Sequence, residues 1–357
     1  GEIEADGGEV LLTASAARSV VDNVINMSGV IRARSVVEQN GEIVLLGGDE
    51  GGVRVAGQLD ASGPDQGQTG GTVQVLGENV ELAGVARIDV SGDAGGGTAL
   101  VGGDFKGQGE VPTATRTTVA SSAGIVADAL SEGDGGKVIV WADERTRYEG
   151  KISAEGGAVS GDGGLVEVSG KKQLIFRGEV AAAAPNGKAG TLLLDPENIT
   201  VGATGSDTLD GDPSTIQAST VNNTLNQGTS VTLSADNDIE VDETIDGRLV
   251  SGGTSGGALT LSAGDDIAVN ASILTDDGAI SIEAGDTQAT PTAAKDGTGD
   301  IVMGADTLLY AGSKPISLSA EGRIDVQDVV TTGAITVTST NGSVVLHNNL
   351  FGFCLLY

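Results

Sequence analysis

The most constraining feature of this sequence is a phrase that recurs from end to end. A glycine turn is followed by about four residues alternating apolar and polar, and then by another turn. It reads GGEVLLTA at 7–14, GEIVLLGG at 41–48, GGTVQVLGENVEL at 70–82 and GGKVIVWAD at 135–143. It continues as GGLVEVSG at 163–170, SVTLSADNDIEV at 230–241, ALTLSAGDDIAV at 258–269 and PISLSAEGRIDV at 315–326. Alternation with a period of two, in runs this short, means β-strands with one buried face. Val, Ile and Thr fill the strands, as a pleated, half-buried surface prefers. Gly-Gly, Gly-Asp, Asn-Gly and Asp-Gly pairs punctuate them and are expected to supply positive φ at tight corners. Leu233 and Leu261 anchor sister phrases 28 residues apart, while other repeats are closer. A spacing of roughly 20–30 residues is the size of one coil of a parallel β-helix. The predicted fold is therefore all-β, an elongated right-handed parallel β-helix of roughly 13–17 coils stacked at the ~4.8 Å strand spacing.

Composition removes the main competitor. An antiparallel sandwich of this size buries large aromatics between its sheets, and only 2% of these 357 residues are aromatic. With 39% hydrophobic residues the chain is too apolar for a disordered acidic polymer. Its core must be many small aliphatic contributions. The 50 acidic and 19 basic residues give a formal charge of -31. Such a chain repels phosphate backbones and anionic bilayers, so no nucleic-acid partner and no membrane insertion are expected. No apolar run reaches the roughly 18 residues that span a bilayer. Cys354 is the single cysteine, so no internal disulfide can form. The chain opens without Met or a leader, and we read it as an internal segment of a longer protein.

Four regions are expected. Residues 1–201 form a shaft; 202–229, rich in Gly, Asp, Ser and Asn, form an irregular break; 230–346 form a second repeat array; 347–357 (HNNLFGFCLLY) form an atypical tail. The break holds the best helix candidate, Ser219–Asn226, with Ser219 as N-cap and Gly228 past the end. Phe105–Glu132, with Pro112 and a Thr/Ala/Ser-rich run, reads as an enlarged loop or a poorly patterned coil.

A search for chemistry assigns no catalytic, cofactor-binding or metal residue. His347 is the only histidine, which leaves Ser-His-Asp, Cys-His and zinc constellations without members. The adjacent pairs Asp265-Asp266, Asp276-Asp277 and Asp242-Glu243 would point to opposite faces of a strand, and beside Gly, Ala or Asn they read as turn formers. Asp236 and Asp238 could face one way, yet the sister position Asp266 suggests a corner. Asp134, Asp162 and Asp265 sit in Gly-Asp turns without the strict nonapeptide tandem of calcium β-rolls. Trp141 and Tyr148 are a sugar platform or, on the preferred reading, corner packing. Lys171-Lys172 is too small for a polyanion patch, and the Asn26, Asn198 and Asn270 sequons are weak signals.

One stretch carries a specific likeness. GGKVIVWADERTRYEGKISAEGG, GDGGLVEVSGKKQLIFRGEV and APNGKAGTLLLDPENITV, between Gly135 and Val201, resemble the filamentous haemagglutinin family. Residues 16–63 resemble it in the same order, and from 202 onward only the style of repeat is shared. The resemblance implies a right-handed β-helix shaft, secreted and displayed at the bacterial cell surface. It implies adhesion, aggregation or biofilm formation rather than enzymatic activity. The implied partners are an outer-membrane two-partner secretion transporter, acting through a secretion domain absent here, and glycans or proteins of host or neighbouring cells. The competing reading is a polysaccharide lyase or hydrolase on the same fold, which requires converging carboxylates beside an Arg or Lys.

Overall fold

The computed structural model describes residues 1–14, 23–36, 40–48, 50–205, 214–248, 256–286, 298–347, 350–351 and 354–356. Two compact units divide it, Gly1–Leu192 and Leu193–Tyr357. Each is a parallel β-helix, and every strand pairing described is parallel. No helix among the described residues is long and apolar enough to cross a membrane.

In the first unit every third strand pairs with its counterpart one coil later. One sheet contains Glu2–Glu4, Val30–Arg32, Gln58–Asp60, Arg87–Asp89, Gly124–Val126, Lys151–Ser153 and Glu179–Ala181. A second contains Glu9–Thr13, Glu42–Leu46, Thr72–Leu76, Thr98–Val101, Lys137–Ala142 and Leu165–Gly170. The third runs from Asn23–Met27 to Gln173–Phe176. The register turns sequence alternation into columns. Ile31, Leu59, Ile88, Ile125, Ile152 and Val180 stack on one sheet, and Val73, Ala99, Val138 and Val166 on another. All ten are at most 3% exposed. Each fully buried Val, Leu or Ile contributes about 1.5–3 kcal/mol against exposure, and each coil gains it only from its neighbours.

The glycine turns supply positive φ at Gly7, Gly48, Gly102, Gly133 and Gly161 as expected, but two Gly-Gly pairs act differently. Neither Gly135-Gly136 nor Gly163-Gly164 has positive φ. Gly136 N–H donates to the Ala127 carbonyl at 2.7 Å, and Gly164 N–H to the Ala154 carbonyl at 2.8 Å. A Cβ on Gly135 would lie 2.1 Å from that Ala154 carbonyl, and one on Gly163 1.9 Å from that of Ala182. Close backbone approach between coils, rather than a left-handed conformation, demands glycine here.

Along the first of these sheets the spacing is steady until one excursion. Val30 pairs with Gln58, 28 residues on, but Arg87 pairs with Gly124, 37 on. The surplus is a loop after Thr98–Val101, containing the short 3-10 turn Phe105–Gly107. Both alternatives for 105–132 thus contribute: a loop, then the regular strands Arg116–Val119 and Gly124–Val126.

In the second unit the strands Ser230–Ala235, Leu259–Ala263, Ile280–Ala284, Ile316–Ala320 and Ala334–Ser339 pair in one-to-one register. The region expected as a break lies inside this unit, because Ile199–Gly202 pairs with the downstream strand Ile239–Val241. The helix spans Ala218–Asn226. Ser219 falls in its first turn; Gln217 is the N-cap and makes no side-chain cap bond. Its buried Val221 and Leu225 are held over the strand Ile245–Gly247, where Asn222 Oδ1 accepts the Asp246 N–H at 2.9 Å. The helix covers what would otherwise be a sheet edge. At the chain's end Leu350–Phe351 and Cys354–Leu356 add in parallel to their sheets.

Candidate functional site

The acidic residues that sequence placed at corners form ladders from coil to coil. In the second unit Asn198 Oδ1 accepts the Asp238 N–H at 3.3 Å, and Asp238 Oδ1 accepts the Asp266 N–H at 3.0 Å. Asp266 Oδ1 takes the Asp300 N–H at 2.7 Å, and Asp300 Oδ1 takes the Arg323 N–H at 2.6 Å. A corner cannot complete a sheet ladder, so the side chain supplies the missing acceptor. In the first unit Asp134 Oδ1 accepts the Asp162 N–H and Asp162 Oδ1 the Lys188 N–H, both at 2.7 Å. Asp242 takes Asn270 Nδ2 at 2.8 Å, and Asp277, itself at φ 53°, takes the Ser313 N–H at 2.5 Å. The Ser313 backbone bond holds Asp277 below the usual carboxylate range. Among the described residues no three His, Cys, Asp or Glu side chains converge as a metal site.

Stacking like charges has a cost that Asp266 registers. Burial raises its pKa first, and the neighbouring Asp265, Asp300 and Asp238 add to the rise against the opposing Asp300 N–H bond. A raised carboxylate pKa disfavours the charged folded form, so the penalty is present near neutrality and vanishes as pH falls below the ordinary carboxylate range. Asn198 performs the same task with a neutral amide. Asp266→Asn is therefore expected to stabilise the chain near pH 7 by on the order of a few tenths of a kcal/mol, discounted for solvent screening. Urea denaturation at two pH values checks this, since the gain must disappear in acid.

Asp60 is a buried carboxylate with basic partners that sequence reading missed. It is 2% exposed, and Arg34, one coil earlier, grips Oδ2 with Nε at 2.9 Å and Nη2 at 2.8 Å. Arg32 lies 3.5 Å away. Burial pushes the Asp60 pKa up, but hydrogen bonds from Ser62 and Arg34 outweigh it and hold the group below its usual range. The only signal was the stacking of Arg32, Arg34 and Asp60 once the 28-residue register is known. The carboxylate is closed from solvent while Arg32 and Arg34 reach it from the surface, so the cluster ties one coil to the next.

Trp141 and Tyr148 are both buried, at 3% and 0% exposure. Tyr148 stacks on Phe176 of the next coil with ring centres 5.8 Å apart, and its hydroxyl has no partner among the described residues. Trp141 belongs to a second feature missed in sequence. Leu100, Ile139 and Trp141 form an apolar cluster against Phe105 and Val111 of the inserted loop. Leu100, Ile139 and Glu167 are in register on the outer face of their sheet, and the fully buried Glu167 carboxylate accepts the Lys106 N–H at 3.0 and 3.2 Å. Lys137 pairs with Asp104, Thr113 Oγ1 donates to Asp143 at 2.6 Å, and Trp141 Nε1 donates to Asp143 at 3.0 Å. The loop is a strap across that face. The visible hint was KVIVWA, apolar on both faces, which marks a strand covered on both sides.

The remaining candidates scatter. Lys172 lies 3.7 Å from Glu144 on the surface, and half-exposed His347 lies 2.5 Å from Asp325. Asn198 is committed to its ladder. No family model matches the chain, and no curated protein matches it.

Proposed function

We propose that this chain is a structural and adhesive β-helical module of a large secreted bacterial surface exoprotein, of the filamentous haemagglutinin kind. It acts in adhesion, aggregation or biofilm formation and carries out no chemistry of its own. The observation that carries the reading is the use made of the corner carboxylates. Asp134, Asp162, Asp238, Asp266 and Asp300 each hold a backbone N–H of the next coil, so residues a lyase would need for substrate are spent on stacking. A scaffold that stiffens coil by coil and presents its outer faces suits a spacer that carries binding surface away from a cell. The phrases between Gly135 and Val201 support placing it at the cell surface, delivered by a two-partner secretion transporter that engages another part of the parent protein.

The test is to couple the purified chain to beads and count their attachment to bacterial and epithelial cell layers under flow. Beads bearing the chain are expected to outnumber beads bearing an unrelated acidic protein. Equal attachment, or release of reducing or unsaturated ends from polysaccharides incubated with the chain, overturns the proposal.

A further inference from the structure

The second unit has one outer surface unlike the rest of it. Between Leu193 and Tyr357 the sequence carries 23 acidic and 4 basic residues. In the sheet running from Ser230–Ala235 to Ala334–Ser339, the inward positions are aliphatic columns such as Leu233, Leu261, Ile282, Leu318 and Val337. The outward positions form two further columns. One is Thr232, Thr260, Ser281, Ser317 and Thr336; the other is Ser234, Ser262, Glu283, Ser319 and Thr338. Nine of these ten positions carry a hydroxyl, one carries an acid and none a base. Outward positions on the unit's other sheets are mixed, with Glu240, Asp246 and Asp325 standing among Thr200, Ala268 and Val302.

The hydroxyls are also free. Ser262 donates to Asp286 at 2.8 Å; the other eight make no bond to the protein among the described residues. That includes Ser234, only 8% exposed, whose side chain points to this outer face between inward Leu233 and Ala235. Its hydroxyl therefore opens onto the outer face, where a ligand can reach it. Hydroxyls at the corners do find partners: Thr275 donates to the Gly278 carbonyl at 2.5 Å and Thr307 to that of Gly304 at 2.7 Å.

We propose that this face binds a neutral polysaccharide chain laid across the coils, an assignment that rests on the adhesive reading above and names its ligand. Each hydroxyl offers one donor and two acceptor lone pairs. They repeat at about 4.8 Å from strand to strand and about 6.6 Å along each strand. A polymer with hydroxyls at regular intervals meets many of them together, and affinity then comes from number rather than from any single contact. Phosphate, sulfate and uronate groups find no cation here and meet the repulsion of a chain of net charge -31. A second copy of this chain is disfavoured by size. The two columns cover roughly 20 Å by 10 Å, a fraction of the about 800 Å² per partner that a stable interface buries.

Affinity electrophoresis of the full chain tests this, in gels containing hydroxyethylcellulose as a neutral β-glucan and in gels containing polygalacturonate. Retardation is expected in the first and not in the second. Thr260→Glu with Ser317→Glu is expected to weaken binding about tenfold or more with the melting temperature unchanged. The Thr260→Ala, Ser317→Ala pair must show the same direction of loss without added charge. Unretarded migration in the neutral glucan, glucan binding by both pairs equal to the parent's, or a concentration-dependent dimer that the Glu pair abolishes overturns the proposal. Bead attachment that persists without glucan binding sinks this inference and leaves the adhesive function standing. Glucan binding without bead attachment does the reverse.

Discussion

Val166→Asp is expected to unfold the coils around 135–170 outright. Val166 is fully buried and stands in register with Val138 of the preceding coil, beneath a column that includes Ala99 and Val73. The substitution removes about 1.5–3 kcal/mol of apolar burial and puts a carboxylate where no cation or free N–H faces it. Burying such a group costs several kcal/mol more even after relaxation. The sum is comparable to the whole 5–15 kcal/mol stability of an ordinary domain. Because each coil leans on its neighbours, the damage should spread rather than remain at one strand. Circular dichroism should lose strand signal, and limited proteolysis should cut first between Gly135 and Gly170. Val166→Ala, which leaves a cavity and no charge, should cost about 1–3 kcal/mol and keep the fold. An Asp variant with the spectrum and protease resistance of the parent would contradict the columns themselves.

Those columns were legible because they depend on the shortest-range information in the chain. Val73, Val138 and Val166 alternate with outward neighbours and follow glycine turns, so strand, face and stacking come from the phrase alone. The corner role of Asp238 and Asp266 was also readable, since sister phrases place them at the same point after LSA. Their task as acceptors for the next coil needed the register, which no local pattern states. Asp60 shows the same limit: Arg34 lies 26 residues away, and only pairing of Val30–Arg32 with Gln58–Asp60 brings the two together. The pairs Gly135-Gly136 and Gly163-Gly164 were misread because the steric conflict at Gly135 is with Ala154, one coil on, and not with its own turn. Glu167 was invisible for a different reason. Alternation puts it on the outside of LVEVSG correctly, and only the loop that closes over that outside makes it buried.

That loop gives the second large effect. Trp141→Ala is expected to cost about 3–5 kcal/mol, the usual range for truncating a buried Trp, and to release the strap spanning 102–115. The indole fills the space under the loop so closely that a Cβ on Gly107 would come within 2.6 Å of the ring. Gly107 also sits at φ 62°, which an L side chain adopts only under strain. Truncation leaves Leu100 and Ile139 facing a cavity and removes the bond from Nε1 to Asp143. The inward columns are untouched, since Val138, Val140 and their partners lie on the opposite face of the same strand. Far-UV dichroism should therefore persist while protease gains a new site within 105–112. Gly107→Val attacks the same packing from the loop and retains the indole. Trp141 is the only tryptophan, so its fluorescence should shift to the red in that variant as the strap lifts. If Gly107→Val left both the emission and the loop's protease resistance unchanged, the strap would not be packed on Trp141. If Trp141→Ala abolished the strand signal as well, the outer cluster would be part of what holds the coils together rather than a layer added to them.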